Sequence, residues 1–327
     1  MISLSPRWPG TEVVHERDSH WIGERRINLM KKNKSIFLVF FFLAIFPDCS
    51  NGSTLNEVSS LIPSKLIYYS NGPLSNEDIW CAIVSKYKWR VKNKNGQLKV
   101  IPFERFQTKR QKIIIPYSLK MRFNGLKLFS GGGNSGSTPS KVLQTKDGWF
   151  VGFDFGEWGG SLWWFSTDGH TQKKLSDDNV LDLIETKSGI TAIVGLCHMD
   201  CANGKFLRVE KVRGNWECRV IVDMKSAPRA WLTEKEDTYL VITQKTVLRV
   251  HGSGGIQKLS LDQTELPHPN SVVELESGKI VIGMNHFVLV LAPEGSGYKE
   301  YWFSPADCPH FADQVGRIGS KCKCLDK

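Results

Sequence analysis

A hairpin-like pattern recurs four times along the chain, and its spacing limits the available folds more than any other feature. Val180-Leu181-Asp182-Leu183-Ile184-Glu185-Thr186 enters the turn Lys187-Ser188-Gly189 and leaves through Ile190-Thr191-Ala192-Ile193-Val194-Gly195. Ser271-Val272-Val273-Glu274-Leu275 turns at Glu276-Ser277-Gly278 and leaves through Lys279-Ile280-Val281-Ile282-Gly283. Between these two, Ala230-Trp231-Leu232-Thr233 turns at Lys235-Glu236-Asp237 and returns as Thr238-Tyr239-Leu240-Val241-Ile242. The first copy runs Lys141-Val142-Leu143-Gln144-Thr145, then Lys146-Asp147-Gly148, then Trp149-Phe150-Val151-Gly152. The turns at 148, 189, 237 and 278 are separated by 41, 48 and 41 residues.

Each copy consists of β-branched and aromatic residues bounded by turn formers, the mark of a strand pair. A third apolar run follows each time, at 162–165, 206–209, 247–250 and 287–291; fourth runs are visible at 218–222 and 301–303. Four antiparallel strands repeated at this period predict an all-β chain, a β-propeller of four-stranded antiparallel blades. The length available after a leader predicts about five to seven of them. One further blade is expected in 97–129, and the last is expected to be closed by strands from both chain ends. Residues 53–96 read as a basic N-terminal segment with one short helix. Ser75-Asn76-Glu77-Asp78 has the form of a helix cap, and Ile79, Trp80, Ile83, Val84 and Tyr87 share a stripe. The propeller is expected over 97–327.

Met30 is followed by Lys31-Lys32-Asn33-Lys34, an apolar run from Ile36 to Phe46, Pro47, and then Ser50-Asn51-Gly52. This layout predicts a signal peptide over 30–52, with 1–29 read as upstream sequence from an early start, and it predicts a periplasmic, envelope or secreted address. The apolar run is shorter than the roughly 20 residues of a membrane span. A buried strand or helix and lipidation at Cys49 are the alternatives. Discounting the first 50 residues leaves 36 basic against 28 acidic residues, and 11 of the basic ones fall in 86–120 beside the single acid Glu104. That field suits anionic envelope components or peripheral contact with a membrane; nucleic acid is not expected, because no recognition motif accompanies the charge. The alternative is an ordinary solvated face. The eight cysteines, in an oxidising compartment, predict disulfides among Cys197, Cys201, Cys308, Cys322 and Cys324. The rival is a metal site, since Cys197 and Cys308 stand close to His198 and His310, but neither spacing matches a standard zinc module, so no metal and no cofactor are expected.

In a propeller the loops joining second to third strands and those joining successive blades open on one face. That rule selects Asp154, Glu157, Trp158, Asp178, His198, Arg229, His268 and His286 as ligand-binding candidates. Gly195 to His198 and Gly283 to His286 share a three-residue offset, so both imidazoles are expected near Glu157 and Asp178, as ligand or acid–base groups. Each His can equally cap its own loop. The glycines at 156, 159 and 160 are expected to let the backbone approach a ligand, and Trp158 to stack on a sugar or cation. Of Trp163 and Trp164, strand alternation sends at least one into a blade interface.

The phrase Gly152-Phe153-Asp154-Phe155-Gly156-Glu157-Trp158-Gly159-Gly160 resembles one in bacterial exported β-propeller proteins of an uncharacterised family, a likeness covering about 140–305. It implies the fold and no defined activity. WD40 and kelch signatures, a Gly-x-Ser-x-Gly elbow, a phosphate loop and His-Glu-x-x-His are all absent. The function expected is therefore a non-catalytic binding module for an anionic or glycan ligand, or for another protein, at the cell envelope. The alternative is a polysaccharide hydrolase or lyase, metal-assisted or not, working through loop-face Glu, Asp and His.

Overall fold

The computed structural model describes residues 53–70, 74–103, 139–198, 201–235 and 237–308. The expected signal peptide, most of the expected blade in 97–129, and Cys49, Cys322 and Cys324 lie outside the described residues, as does the basic stretch from 104 to 120.

The four repeats are four antiparallel blades of four strands each, and the chain has the β-propeller architecture. Blade 1 comprises β4 (Lys141–Thr145), β5 (Gly148–Asp154), β6 (Gly160–Phe165) and β7 (Gln172–Ser176). Blade 2 comprises β8 (Val180–Thr186), β9 (Gly189–His198), β10 (Cys201–Val212) and β11 (Asn215–Asp223). Blade 3 comprises β12 (Ala230–Thr233), β13 (Thr238–Ile242), β14 (Val247–His251) and β15 (Ile256–Leu259). Blade 4 comprises β16 (Ser271–Glu274), β17 (Ile280–Gly283), β18 (Val288–Glu294) and β19 (Gly297–Pro305), and β1 (Leu66–Tyr68) adds a fifth strand beyond β19. The outer strands β7 and β15, which had no signal in the sequence, mix Lys and Gln with apolar residues; β7 buries none of its residues fully and β15 only Leu259.

The central strands of blades 2, 3 and 4 are apolar at nearly every position because these blades are covered on both faces. On β13, Tyr239 and Val241 pack toward blade 2 with Ile193 and Phe206. Leu240 and Ile242, one residue out of phase, pack toward blade 4 with Ile280 and Leu289. Period-2 alternation therefore assigns residues to two cores rather than to core and solvent. Phe150 and Leu162 join blade 1 to Ala192 and Leu207 of blade 2 in the same way. Trp164 packs into that interface, whereas Trp163, on the opposite face of β6, packs with Val151, Phe153 and Phe165 of its own blade.

The N-terminal segment is built into this stack. Helix α1 (Leu55–Ser59) and the hairpin β2 (Trp89–Lys94) and β3 (Gln97–Pro102) cover the free face of blade 4, where Trp89, Val91 and Val100 meet Val273, Val281 and Val290. Helix α2 (Asn76–Val84) starts at the predicted cap: Ser75 Oγ accepts the Asp78 N–H, and the Asp78 carboxylate accepts the Ser75 N–H. Its buried side is Ile79, Cys81 and Ala82, whereas Trp80 and Val84 of the expected stripe are exposed. After residue 130 the described residues contain only one 3-10 turn of helix.

Candidate functional site

The β5–β6 connection forms that 3-10 turn, Gly156–Trp158. Asp154 organises it: one carboxylate oxygen accepts the Gly156 N–H at 3.0 Å and the Asn179 amide at 2.8 Å. The same amide donates to the Gly156 carbonyl at 2.7 Å, tying the loop of blade 1 to the entry strand of blade 2. Asp154 is thus an anchor. Gly160 has a packing role as well, because a Cβ there would lie 2.5 Å from Asn179 Cα and 2.6 Å from the Phe153 carbonyl oxygen. The expectation that this glycine admits a ligand is replaced by one in which it admits the neighbouring blade.

Two of the predicted residues do converge. His198 Nε2 lies 3.3 Å from Glu157 Oε2, across the boundary between blades 1 and 2, with each side chain 45% exposed. Trp158, beside them, is 60% exposed, the most exposed of the large apolar side chains described. His198 reaches this place because the β9–β10 ladder continues past Gly195 through Leu196–Asn203, Cys197–Ala202 and His198–Cys201. His198, selected as a loop residue, thus stands on an extension of the hairpin.

Asp178 has been taken up elsewhere: Lys205 Nζ donates to it at 3.0 Å and Ser176 Oγ at 2.5 Å. Neither partner was singled out from sequence, since the contacts depend on how β7 and β10 flank the 176–180 connection. Arg229 and His268 belong to other blade junctions. The Arg229 N–H bonds the Ile242 carbonyl at 2.8 Å at the entry to blade 3. His268 is half-buried, in the left-handed region at φ 46°, next to Pro267, whose carbonyl accepts the Asn285 N–H.

His286 departs from expectation. Its side chain is fully buried, with Nδ1 2.9 Å from Ser85 Oγ, while its backbone N–H bonds the Tyr87 carbonyl at 2.8 Å and its carbonyl accepts the Trp89 indole N–H at 3.0 Å. Burial lowers its pKa to about 4, against the opposing effects of a hydrogen bond with the Cys308 backbone and the charge of Asp307. The cause is the turn. β17 ends at Gly283, where a Cβ would lie 2.7 Å from the Trp89 carbonyl oxygen, and Phe287, wholly buried, draws the 284–287 turn inward. His286 therefore joins blade 4 to the N-terminal segment and does not open on the ligand face.

The expectation that Cys197 takes part in a disulfide is also corrected. Cys197 is a free thiol, and its Sγ–H donates to Gln244 Oε1 at 2.9 Å. The ladder pairs Cys201 with His198 and Cys197 with Ala202. Cys218 is free too, and burial followed by the charge of Asp178 pushes its thiol up to about 12. Cys308 and Cys81 are disulfide-bonded. Among the described residues, no three His, Cys, Asp or Glu side chains come together as a metal site.

No protein family and no curated protein matches the chain. Among solved structures it is similar to one described as the extracellular domain of a hybrid two-component system from Bacteroides thetaiotaomicron, at 14% identity and a TM-score of 0.31, covering 62% of this chain and 23% of that one. A gluconolactonase from Xanthomonas campestris matches at 11% identity and a TM-score of 0.30, covering 53% of this chain and 60% of that one. Virginiamycin B lyase from Staphylococcus aureus, solved with quinupristin, matches at 11% identity and a TM-score of 0.28, covering 72% and 88%. The chain spans less than a quarter of the length of that extracellular domain. Likenesses at this level assign no activity to it.

Proposed function

We propose that this chain is an exported, non-catalytic β-propeller binding module that takes a glycan at the junction of blades 1 and 2. The carrying observation is Trp158. Leaving an indole 60% exposed forgoes much of the roughly 1.5–3 kcal/mol that burying a large apolar side chain contributes. The loop that presents it is bonded through Asp154 and Asn179 on both sides, so the exposure belongs to an ordered turn. An indole face suits the apolar face of a sugar ring, and Glu157 and His198 beside it suit hydroxyl groups. Export is supported by the charged, apolar and small-residue order of residues 30–52.

The test is a glycan-binding assay with the full chain and the Trp158→Ala variant. Binding should weaken about tenfold or more in the variant, with stability changed by less than about 0.5 kcal/mol. Undiminished binding in Trp158→Ala would remove the reading. A polysaccharide hydrolase or lyase is the second reading, favoured by the 3.3 Å approach of His198 to Glu157. Turnover by the wild type that vanishes in Glu157→Gln would select it.

A further inference from the structure

The charge around Trp158 selects among sugars. The connection that presents this indole, 60% exposed, also carries Asp154 at its start and Glu157 immediately before it, both exposed. Lysines reach the same blade junction but are already matched: Lys205 donates to Asp178 at 3.0 Å, and Lys174 pairs with Asp177. Asp154 and Glu157 have no Lys or Arg partner among the described residues. Asp154 accepts the Gly156 N–H and the Asn179 amide, both neutral donors, and Glu157 meets the His198 imidazole through Oε2 at 3.3 Å.

A neutral imidazole that donates an N–H steadies a carboxylate without cancelling its charge. With 45% of its side chain exposed, Glu157 keeps room for a second partner at its other oxygen. An ammonium group suits this place twice over. The carboxylate attracts it directly, and the face of an indole attracts cations more strongly than any other side-chain ring. An acidic sugar would meet two like charges, and a neutral one would leave both carboxylates unanswered. The net charge of +10 is spread over the whole chain, and its field is screened beyond about 10 Å at about 0.1 M salt.

We infer that the sugar bound at Trp158 carries a protonated amine, with the ammonium at Glu157 and the ring face on the indole. This rests on the glycan reading of the same site and narrows it to amino sugars with a free amine. N-acetylated and carboxylated sugars are the classes it turns away. Because Asp154 and Asn179 hold the turn from both sides, the indole and the carboxylate are ordered before the ligand arrives, and little entropy is lost on binding.

The experiment is calorimetric titration of the full chain, at neutral pH, with glucosamine oligosaccharides, with the same oligosaccharides N-acetylated, and with galacturonate oligosaccharides. The free-amine form should bind about tenfold or more tightly than the acetylated one, its affinity should fall with added salt, and galacturonate should bind most weakly. Glu157→Gln should bring the affinities for the free and acetylated forms together at an unchanged melting temperature, whereas Trp158→Ala should weaken both. Equal affinity of the wild type for the two forms, or tighter binding of galacturonate, would overturn the inference and leave the glycan reading standing, as would an undiminished preference in Glu157→Gln. Binding of none of the three would remove the inference together with the glycan reading. Should Glu157→Gln fail to fold, the three wild-type titrations decide alone.

Discussion

His198 and His286 stand at the same offset from a glycine, and the difference between them is a difference of hydrogen bonding two residues away. Beyond Gly195 the ladder continues and carries His198 out to Glu157. Beyond Gly283 it stops, and the turn carries His286 beneath Tyr87 and Ser85. The buried imidazole titrates at about 4, below its usual 6.5. Between those values the unfolded chain binds a proton that the folded chain does not. The stability is therefore intact above about pH 6.5 and declines as the pH falls toward 4, by about 2 kcal/mol at pH 5. Urea midpoints measured from pH 7 to 5 should show this slope in the wild type and a shallower one in His286→Gln, which should also be about 1–3 kcal/mol less stable at pH 7 because Ser85 loses its partner. Parallel slopes in the two proteins would exclude His286 as the source. Sequence reasoning found the Glu157–His198 pair because a rule of topology selects both loops, but it could not separate the two histidines, since whether a ladder continues is decided by tertiary packing.

At the scale of strands, an arginine on the third strand of one blade reaches the neighbouring blade twice. Arg208 of β10 donates to Asp237 at 2.7 Å and to the Gly252 carbonyl at 3.1 Å. Arg249 of β14 donates to Glu234 of its own blade at 3.0 Å and to Glu274 of blade 4 at 2.5 Å. Burial would raise the Asp237 pKa, but hydrogen bonds from Ser188, Arg208 and Tyr239, together with the Arg208 charge, hold it at about 2. Because the pair is largely enclosed, with side-chain exposures of 6% and 15%, removing one partner strands the other. Arg208→Ala should cost about 3–5 kcal/mol in chemical denaturation, and adding Asp237→Asn should cost less than the sum of the two single changes. Full additivity would mean that the pair does not couple blades 2 and 3. Lone charges of this kind carry no sequence signature, whereas the hairpins they join are conspicuous, because burial on both faces forces continuous runs such as Tyr239 to Ile242. The outer strands were the least legible for the converse reason: three of the four residues of β15 are exposed, so neither apolar alternation nor a run marks them.

At the scale of the whole molecule, blade 4 is completed by the other end of the chain. β1 pairs with β19 from Leu66–Pro305 to Tyr68–Phe303, and Tyr69 N–H bonds the Trp302 carbonyl at 2.8 Å. Lys279, whose side chain is 8% exposed, bonds Glu57 at 2.6 Å, which brings α1 against the hairpin of blade 4. The face so covered includes Val273, Val281, Val288 and Val290. Uncovering four such side chains forgoes roughly 1.5–3 kcal/mol each, comparable in sum with the roughly 5–15 kcal/mol by which a folded protein is stable at all. The segment from 53 to 103 is therefore expected to be part of the folding unit. A chain beginning at residue 53 should melt in one cooperative transition. A chain beginning at residue 104 should bind an apolar dye, lose cooperativity and melt at a lower temperature, because an open apolar face and an unpaired β19 edge are left in solvent. Identical melting of the two chains would show that the four blades close without the N-terminal strands, and would reduce the contacts of Trp89 and Glu57 with blade 4 to decoration on a finished fold.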